Sequence, residues 1–252
     1  MRRRTVLFGL VGLALPGTAR SEPPALTVFA ASDLALAFRE IGPRFETARG
    51  AKLTLVFGST GNMARQIEHG APADVFFSAD QSFVDRLVAA GVLIPETRAL
   101  YAQGRLVLAT AKAVGARLTE PRDLLDARVR HVAIANPLHA PYGRAAAQVL
   151  RRVGLWDAVR PKLVYGESVQ HALQLVQAGG AQAGLVARSI AEVPEVEWTP
   201  IDPALHAPLD QAVAVVRRSP RPDLAAAFIQ FVNGPEGHAI MKRHGFVLPG
   251  EL

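Results

Sequence analysis

Hydroxyls and glycines recur in this chain where an apolar, β-prone run gives way to a helical pattern. Ser32 and Asp33 stand between the run at 26–30 and Leu34, and Gly58, Ser59, Thr60, Gly61 and Asn62 follow the run at 53–57. Farther along, Ala140, Pro141, Tyr142 and Gly143 precede one helical stretch, and Glu167, Ser168 and Val169 precede another. A helix leaves its first N–H groups unpaired and carries about half a positive charge there. Such positions can therefore hold an anion without help from Lys or Arg. Four of them facing one cleft could replace the hydration shell of a small oxyanion, and neutral donors also permit its release. A plainer role competes at each position. Ser32, Asp33, Ser59 and Ser168 are all ordinary N-cap residues, Gly58 and Gly61 fit a simple turn, and Tyr142 suits either a ligand donor or an aromatic packed at a hinge.

The elements that would position these groups alternate strand and helix. Leu34, Phe38, Ile41 and Phe45 recur on one helical face after the first strand, with Pro43 expected to kink or split that helix. A strand at 53–57, a helix at 62–69, a strand at 75–78 and a helix at 82–90 ending at Gly91 complete three βα units, which imply a parallel sheet. After a linker-like stretch, strands at 105–110, 131–135, 162–165 and 183–186 alternate with helices at 143–153 and 169–178. A Pro-rich stretch at 194–208 leads to a strand at 211–216 and to helices at 223–233 and 236–244. The terminal elements have no sheet of their own, so the simplest packing returns them to the first lobe. The expected fold is α/β in two lobes: residues 24–106 with 209–252 form lobe 1, residues 107–208 form lobe 2, and the ligand lies in the cleft at the strand ends.

The N-terminus reads as an address. Arg2, Arg3 and Arg4 precede an apolar run at 6–15, then Pro16, Gly17, Thr18 and Ala19, the layout of a secretory signal peptide over residues 1–19. Arg3-Arg4-Thr5-Val6-Leu7 also resembles a twin-arginine signal. The apolar run is too short to span a bilayer, which takes about 20 residues. The net charge of +6 includes those three arginines, and the remaining basic residues are spread along the chain without interleaved aromatics, which argues against nucleic acid as a partner. The chain has no Cys, its seven His are scattered without metal-ligand spacing, and neither a Gly-x-Ser-x-Gly elbow nor a phosphate loop is present. Glu167 and Asp80 read as acids at helix starts. An enzyme is not expected, although an exported hydrolase stands as the contrasting class.

Three stretches carry a resemblance: Val28-Phe29-Ala30-Ala31-Ser32-Asp33-Leu34, Phe57-Gly58-Ser59-Thr60-Gly61-Asn62, and the long run from Gln66 through Gly70-Ala71-Pro72-Ala73-Asp74-Val75-Phe76-Phe77-Ser78-Ala79-Asp80. With matching segments through Gly245-Phe246-Val247, the sequence resembles the periplasmic molybdate-binding proteins of ABC transporters over nearly all of the chain beyond the leader. The resemblance implies a class II periplasmic binding fold that closes on molybdate or tungstate and delivers it to an integral-membrane permease, with no cofactor and as a monomer. Carried over by position, it implies ligand contacts at Ser32, Asp33, Ser59 and Thr60 in the first lobe, and at Tyr142 and the backbone of Val169 in the second. Thr60 stands where Ser is usual, and Ala187 where some members place a Tyr whose role Tyr142 could take.

Asp33 departs further from that pattern. A carboxylate aimed at a dianion would repel it by several kcal/mol at close range. Three readings remain: Asp33 caps the helix and points away, or only its N–H meets the ligand, or the cargo carries a proton that Asp33 accepts. The first two are preferred; the third suits a phosphate-like anion, and sulfate or phosphate is the alternative cargo.

Overall fold

The computed structural model describes residues 23–251, so the signal peptide expected at 1–19 lies outside the described residues. In chain order the elements are β1 (Ala25–Ala31), α1 (Ala35–Arg49), β2 (Lys52–Gly58), α2 (Thr60–Glu68), β3 (Val75–Ser78), α3 (Gln81–Ala89) and β4 (Ala99–Gly104). They continue with β5 (Leu106–Ala111), β6 (Val132–Ala135), α4 (Pro141–Arg152), α5 (Trp156–Val159), β7 (Leu163–Gly166), α6 (Val169–Gln177), β8 (Ala183–Ala187) and β9 (Val196–Pro200). The last are β10 (Leu209–Val215), α7 (Pro222–Val232) and α8 (Pro235–Arg243).

Two five-stranded sheets result, in the orders β2-β1-β3-β10-β4 and β7-β6-β8-β5-β9. The chain crosses from the first to the second between β4 and β5 and returns between β9 and β10, so the terminal elements do rejoin the first lobe. The sheets are mixed, not parallel as the βα alternation implied. β10 runs antiparallel to β3 and β4, and β5 runs antiparallel to β8 and β9. The reason is that β5 and β10 arrive from the other lobe, not through a crossover helix, and only such a crossover forces parallel pairing.

Two strands escaped the sequence reading, and both are edge strands. β4 lies in the stretch read as a linker, and β9 lies in the Pro-rich stretch, with Pro200 as its last residue, a place where a missing N–H costs little. The expected break at Pro43 is absent, since α1 runs unbroken from Ala35 to Arg49. Pro43 and Arg39 are both exposed, so the Arg39 carbonyl that loses its partner can turn to water, while buried Phe38, Ile41 and Phe45 hold the other face.

Phe38, Phe45, Phe77 and Phe228 fill the core of the first lobe in edge-to-face pairs with centroids 4.9–5.6 Å apart. In the second lobe, helix packing is closer to the backbone. A Cβ at Gly143 would overlap the Ala135 carbonyl oxygen, and one at Gly166 would overlap the Ala172 nitrogen. The absence of a side chain therefore lets α4 and α6 press their first turns against the strand ends. Phe228 touches three other core rings, so Phe228→Ala is expected to lower unfolding free energy by about 3–5 kcal/mol in urea titration. A loss below about 1 kcal/mol would show that this cluster does not anchor the first lobe.

Candidate functional site

The carboxyl ends of β1 and β2 face the starts of α4 and α6 across the two lobes. Ala31, Ser32, Asp33, Gly58, Ser59, Thr60 and Ala79 of the first lobe, with Ala140, Pro141, Tyr142 and Val169 of the second, line a narrow chamber of about 10 Å³. All six residues singled out by sequence lie on its wall, and all six are buried. Among the described residues that line it there is no Lys or Arg. Thr60 and Val169 are the first residues of α2 and α6, and Tyr142 is the second of α4. Their amides belong to the set that a helix leaves without an internal partner.

The capping roles are resolved unevenly. Ser168 caps α6, its hydroxyl accepting from the His171 N–H at 3.2 Å. Asp80 caps α3 by accepting from the Ser82 N–H at 2.8 Å. Ser59 stands at the cap position of α2 without a capping bond. Ser32 and Asp33 lie inside a short 3₁₀ turn ahead of α1 and cap nothing. Of the two preferred expectations for Asp33, the one in which it caps a helix is therefore corrected. Burial beneath the second lobe and bonds to two donors elsewhere in the fold take its carboxylate instead.

Asp33 is fully buried, and its Oδ2 accepts from the Tyr142 hydroxyl at 3.0 Å and from the Gln211 side-chain amide at 2.7 Å. Oδ1 has no hydrogen-bond partner among the described residues. The Asp33 carbonyl accepts from the Ser189 hydroxyl at 2.7 Å, so α4, β10 and the turn after β8 all converge on this one residue. Burial drives its pKa from 3.8 up to about 6, against the opposing bonds from Gln211 and Tyr142. A carboxyl raised in this way contributes stability that is complete below pH 3.8 and is lost as pH rises through about 6. Burial and the neighbouring Asp33 hold the phenols of Tyr142 and Tyr101 well above their ordinary range, so both stay neutral. The Tyr142 proton is committed to Asp33, which leaves its backbone N–H as the donor available to a ligand.

A second contact crosses the chamber mouth. Ser59 Oγ lies 2.8 Å from His139 Nδ1, and His139 Nε2 lies 3.6 Å from Glu167 Oε2. Burial lowers the His139 pKa, against the pull of Glu167, which favours a neutral ring. Glu167, expected to serve a helix start, faces this histidine instead. A serine beside a histidine is an arrangement that sequence spacing did not reveal, although the pair spans two lobes and exists only when they are together. Beside it the Gly61 N–H donates to the His139 carbonyl at 2.9 Å. Thr60 Oγ1 accepts from the Ala79 N–H at 3.1 Å, which leaves its own proton free, and the Gln170 N–H reaches Ser32 Oγ at 3.4 Å.

Sequence reasoning missed His139, Ser189 and Gln211. A signal existed for the last: Gln211 stands directly before the apolar run 212–216, and a polar residue inside a buried strand needs a partner. Among the described residues no group of three His, Cys, Asp or Glu side chains could hold a cation, and no helix is long and apolar enough to cross a membrane.

Two lobes that bury a cation-free, donor-lined chamber between them define a solute-binding architecture, and the chain belongs to the bacterial extracellular solute-binding protein family, whose model matches residues 26–247. Within that class it is similar to the molybdate-binding proteins ModA. It is 34% identical over 245 residues to ModA of Rhodobacter capsulatus, covering 96% of this chain and 94% of that protein. It is also 34% identical over 248 residues to ModA of Escherichia coli K12, covering 94% and 95%. The solved Azotobacter vinelandii periplasmic molybdate-binding protein superposes with a TM-score of 0.83 at 31% identity, covering 89% of this chain and 99% of that one.

Gly61 tests whether this packing is a closed state. A Cβ there would stand 2.7 Å from the His139 carbonyl oxygen, an atom of the opposite lobe. Gly61→Ala is expected to weaken ligand binding at least about tenfold, roughly 1.4 kcal/mol, while the melting temperature without ligand stays within a degree or two. Unchanged affinity in calorimetry would show that ligand does not need these lobes this close.

Proposed function

We propose that this protein captures molybdate or tungstate in the interlobe chamber and carries it to the integral-membrane permease of an ABC transporter. The observation that carries the reading is the chamber itself: buried, free of cationic side chains and walled by hydroxyls and first-turn amides of both lobes. Molybdate and tungstate are fully ionised at neutral pH and present only acceptors, which matches a wall of donors. The similarity to ModA proteins over nearly the whole chain supports the same cargo.

In this reading the anion meets Ser32, Asp33, Ser59 and Thr60 on one side and Tyr142 and Val169 on the other, with the last two and Asp33 acting through the backbone or through proton placement. Residues 24–106 with 209–252 move as one rigid body and residues 107–208 as the other. The ligand selects the closed state because it touches both. The protein works as a monomer without catalysis, exported to the periplasm once residues 1–19 are removed, and the permease docks on the rims of the closed lobes.

Isothermal titration with molybdate, tungstate, sulfate and phosphate tests the cargo. Sub-micromolar binding of the first two is expected. A second reading rests on one observation: Oδ1 of Asp33 lacks a partner and could accept the proton of hydrogen phosphate. Sub-micromolar phosphate binding without molybdate binding would establish that reading in place of the first. Thr60→Ala should weaken molybdate binding by about 1–3 kcal/mol, because the free hydroxyl proton is a buried anion donor; no change would remove Thr60 from the site.

A further inference from the structure

A buried carboxylate on the wall of an anion chamber is an obstacle unless it changes form, and the bonds around Asp33 say how it can. Oδ2 already receives two donors, from Tyr142 and Gln211. The charged form is thus held through Oδ2, and Oδ1 is the oxygen left without a bond to take a proton. Oδ1 is buried and has no partner among the described residues, so a hydroxyl formed there would need an acceptor. Among the described residues no acceptor lies within hydrogen-bond distance of it, whereas an oxyanion in the chamber that Asp33 lines supplies several. We propose that Asp33 takes up one proton as the oxyanion binds and presents an Oδ1 hydroxyl to it, turning an obstacle into a donor and making it a specificity-determining residue for ions that arrive without a proton of their own. The proton comes from solvent, no other bond is made or broken, and the inference rests on the molybdate or tungstate reading of the site.

The surroundings favour this change. From α4 and β4 the titratable groups facing Asp33 are Tyr142 and Tyr101, both neutral, while β10 contributes Gln211 and the turn after β8 contributes Ser189. Cations near the crossings pair elsewhere: Arg105 with Gln103 and the Gly104 carbonyl, Arg188 with Glu192 and the face of Trp198. With no cation to hold the charged form, burial already lifts the carboxyl to about 6, and an added dianion lifts it further. Among the described residues, His139 is the histidine that reaches the chamber, through Ser59, and it is the control for proton binding.

Titration calorimetry with molybdate at pH 7.5, in two buffers of different ionisation heat, reads the proton directly. About one proton taken up per anion is expected, with Kd rising about tenfold per pH unit between pH 7 and 8. Asp33→Asn should bind molybdate with neither uptake nor slope, whereas His139→Gln should keep both. No uptake and a flat profile in the unmodified protein would overturn the proposal while leaving the cargo intact. Uptake that survives in Asp33→Asn, or that disappears in His139→Gln, would overturn it equally. Should Asp33→Asn fail to fold, the unmodified protein and His139→Gln decide between them. Absence of binding to either molybdate or tungstate would instead defeat the cargo reading, and this inference with it.

Discussion

One carboxylate without a cation holds the meeting of the two lobes. Moving a charge out of water is costly unless hydrogen bonds replace its hydration. Among the described residues Asp33 has two such bonds on Oδ2 and no partner within hydrogen-bond distance on Oδ1, with only the backbone N–H groups of Asp33 and Leu34 nearby to help the charge. A shift from 3.8 to about 6 corresponds to about 3 kcal/mol against the charged form, so the bonds only partly offset burial. Groups from both lobes meet at this residue: Tyr142 descends from α4, Gln211 rises from β10, and Ser189 fixes the backbone carbonyl. The strain of an under-satisfied charge sits where the two halves touch, a place where a modest change in charge can alter their association.

The remainder of the wall follows from a different constraint. An anion held by Lys or Arg would be bound strongly in the open cleft as well as in the closed one, and would leave slowly. Amides at helix starts and hydroxyls already committed on one side, such as Thr60, offer donors that are complete only when both lobes contribute. The ion pair between Asp80 and Arg144 also crosses the interface, but both side chains are partly exposed, and pairs of that kind contribute little.

Much of this was legible from sequence, and the failures have physical causes. Strands buried in the middle of a sheet announce themselves as apolar runs, as β3 and β8 do, whereas the edge strands β4 and β9 lack that pattern because one side of each has no neighbour to satisfy. The positions that line the chamber were legible because they sit where strand gives way to helix. Their partners were not, since Gln211 and His139 are separated from Asp33 and Ser59 by 178 and 80 positions. The most distinctive stretch of the chain, from Gly70 to Asp80, turns out to be framework. Asp74 accepts from the Thr27 N–H and the Ser219 hydroxyl, tying β1 to the segment beyond β10, Asp80 caps α3, and only Ala79 reaches the chamber.

Gly143 and Gly166 bear on how such a site can persist as sequences drift. In the site proposed above the donors of the second lobe are main-chain amides, so most side chains around them can be exchanged without removing a single contact to cargo. What cannot be exchanged is the pair of missing Cβ atoms that lets two helices lie against their strands. Inheritance of the anion's grip is therefore recorded in blank positions rather than in chemically expressive ones, and a survey for functional groups alone would pass over them.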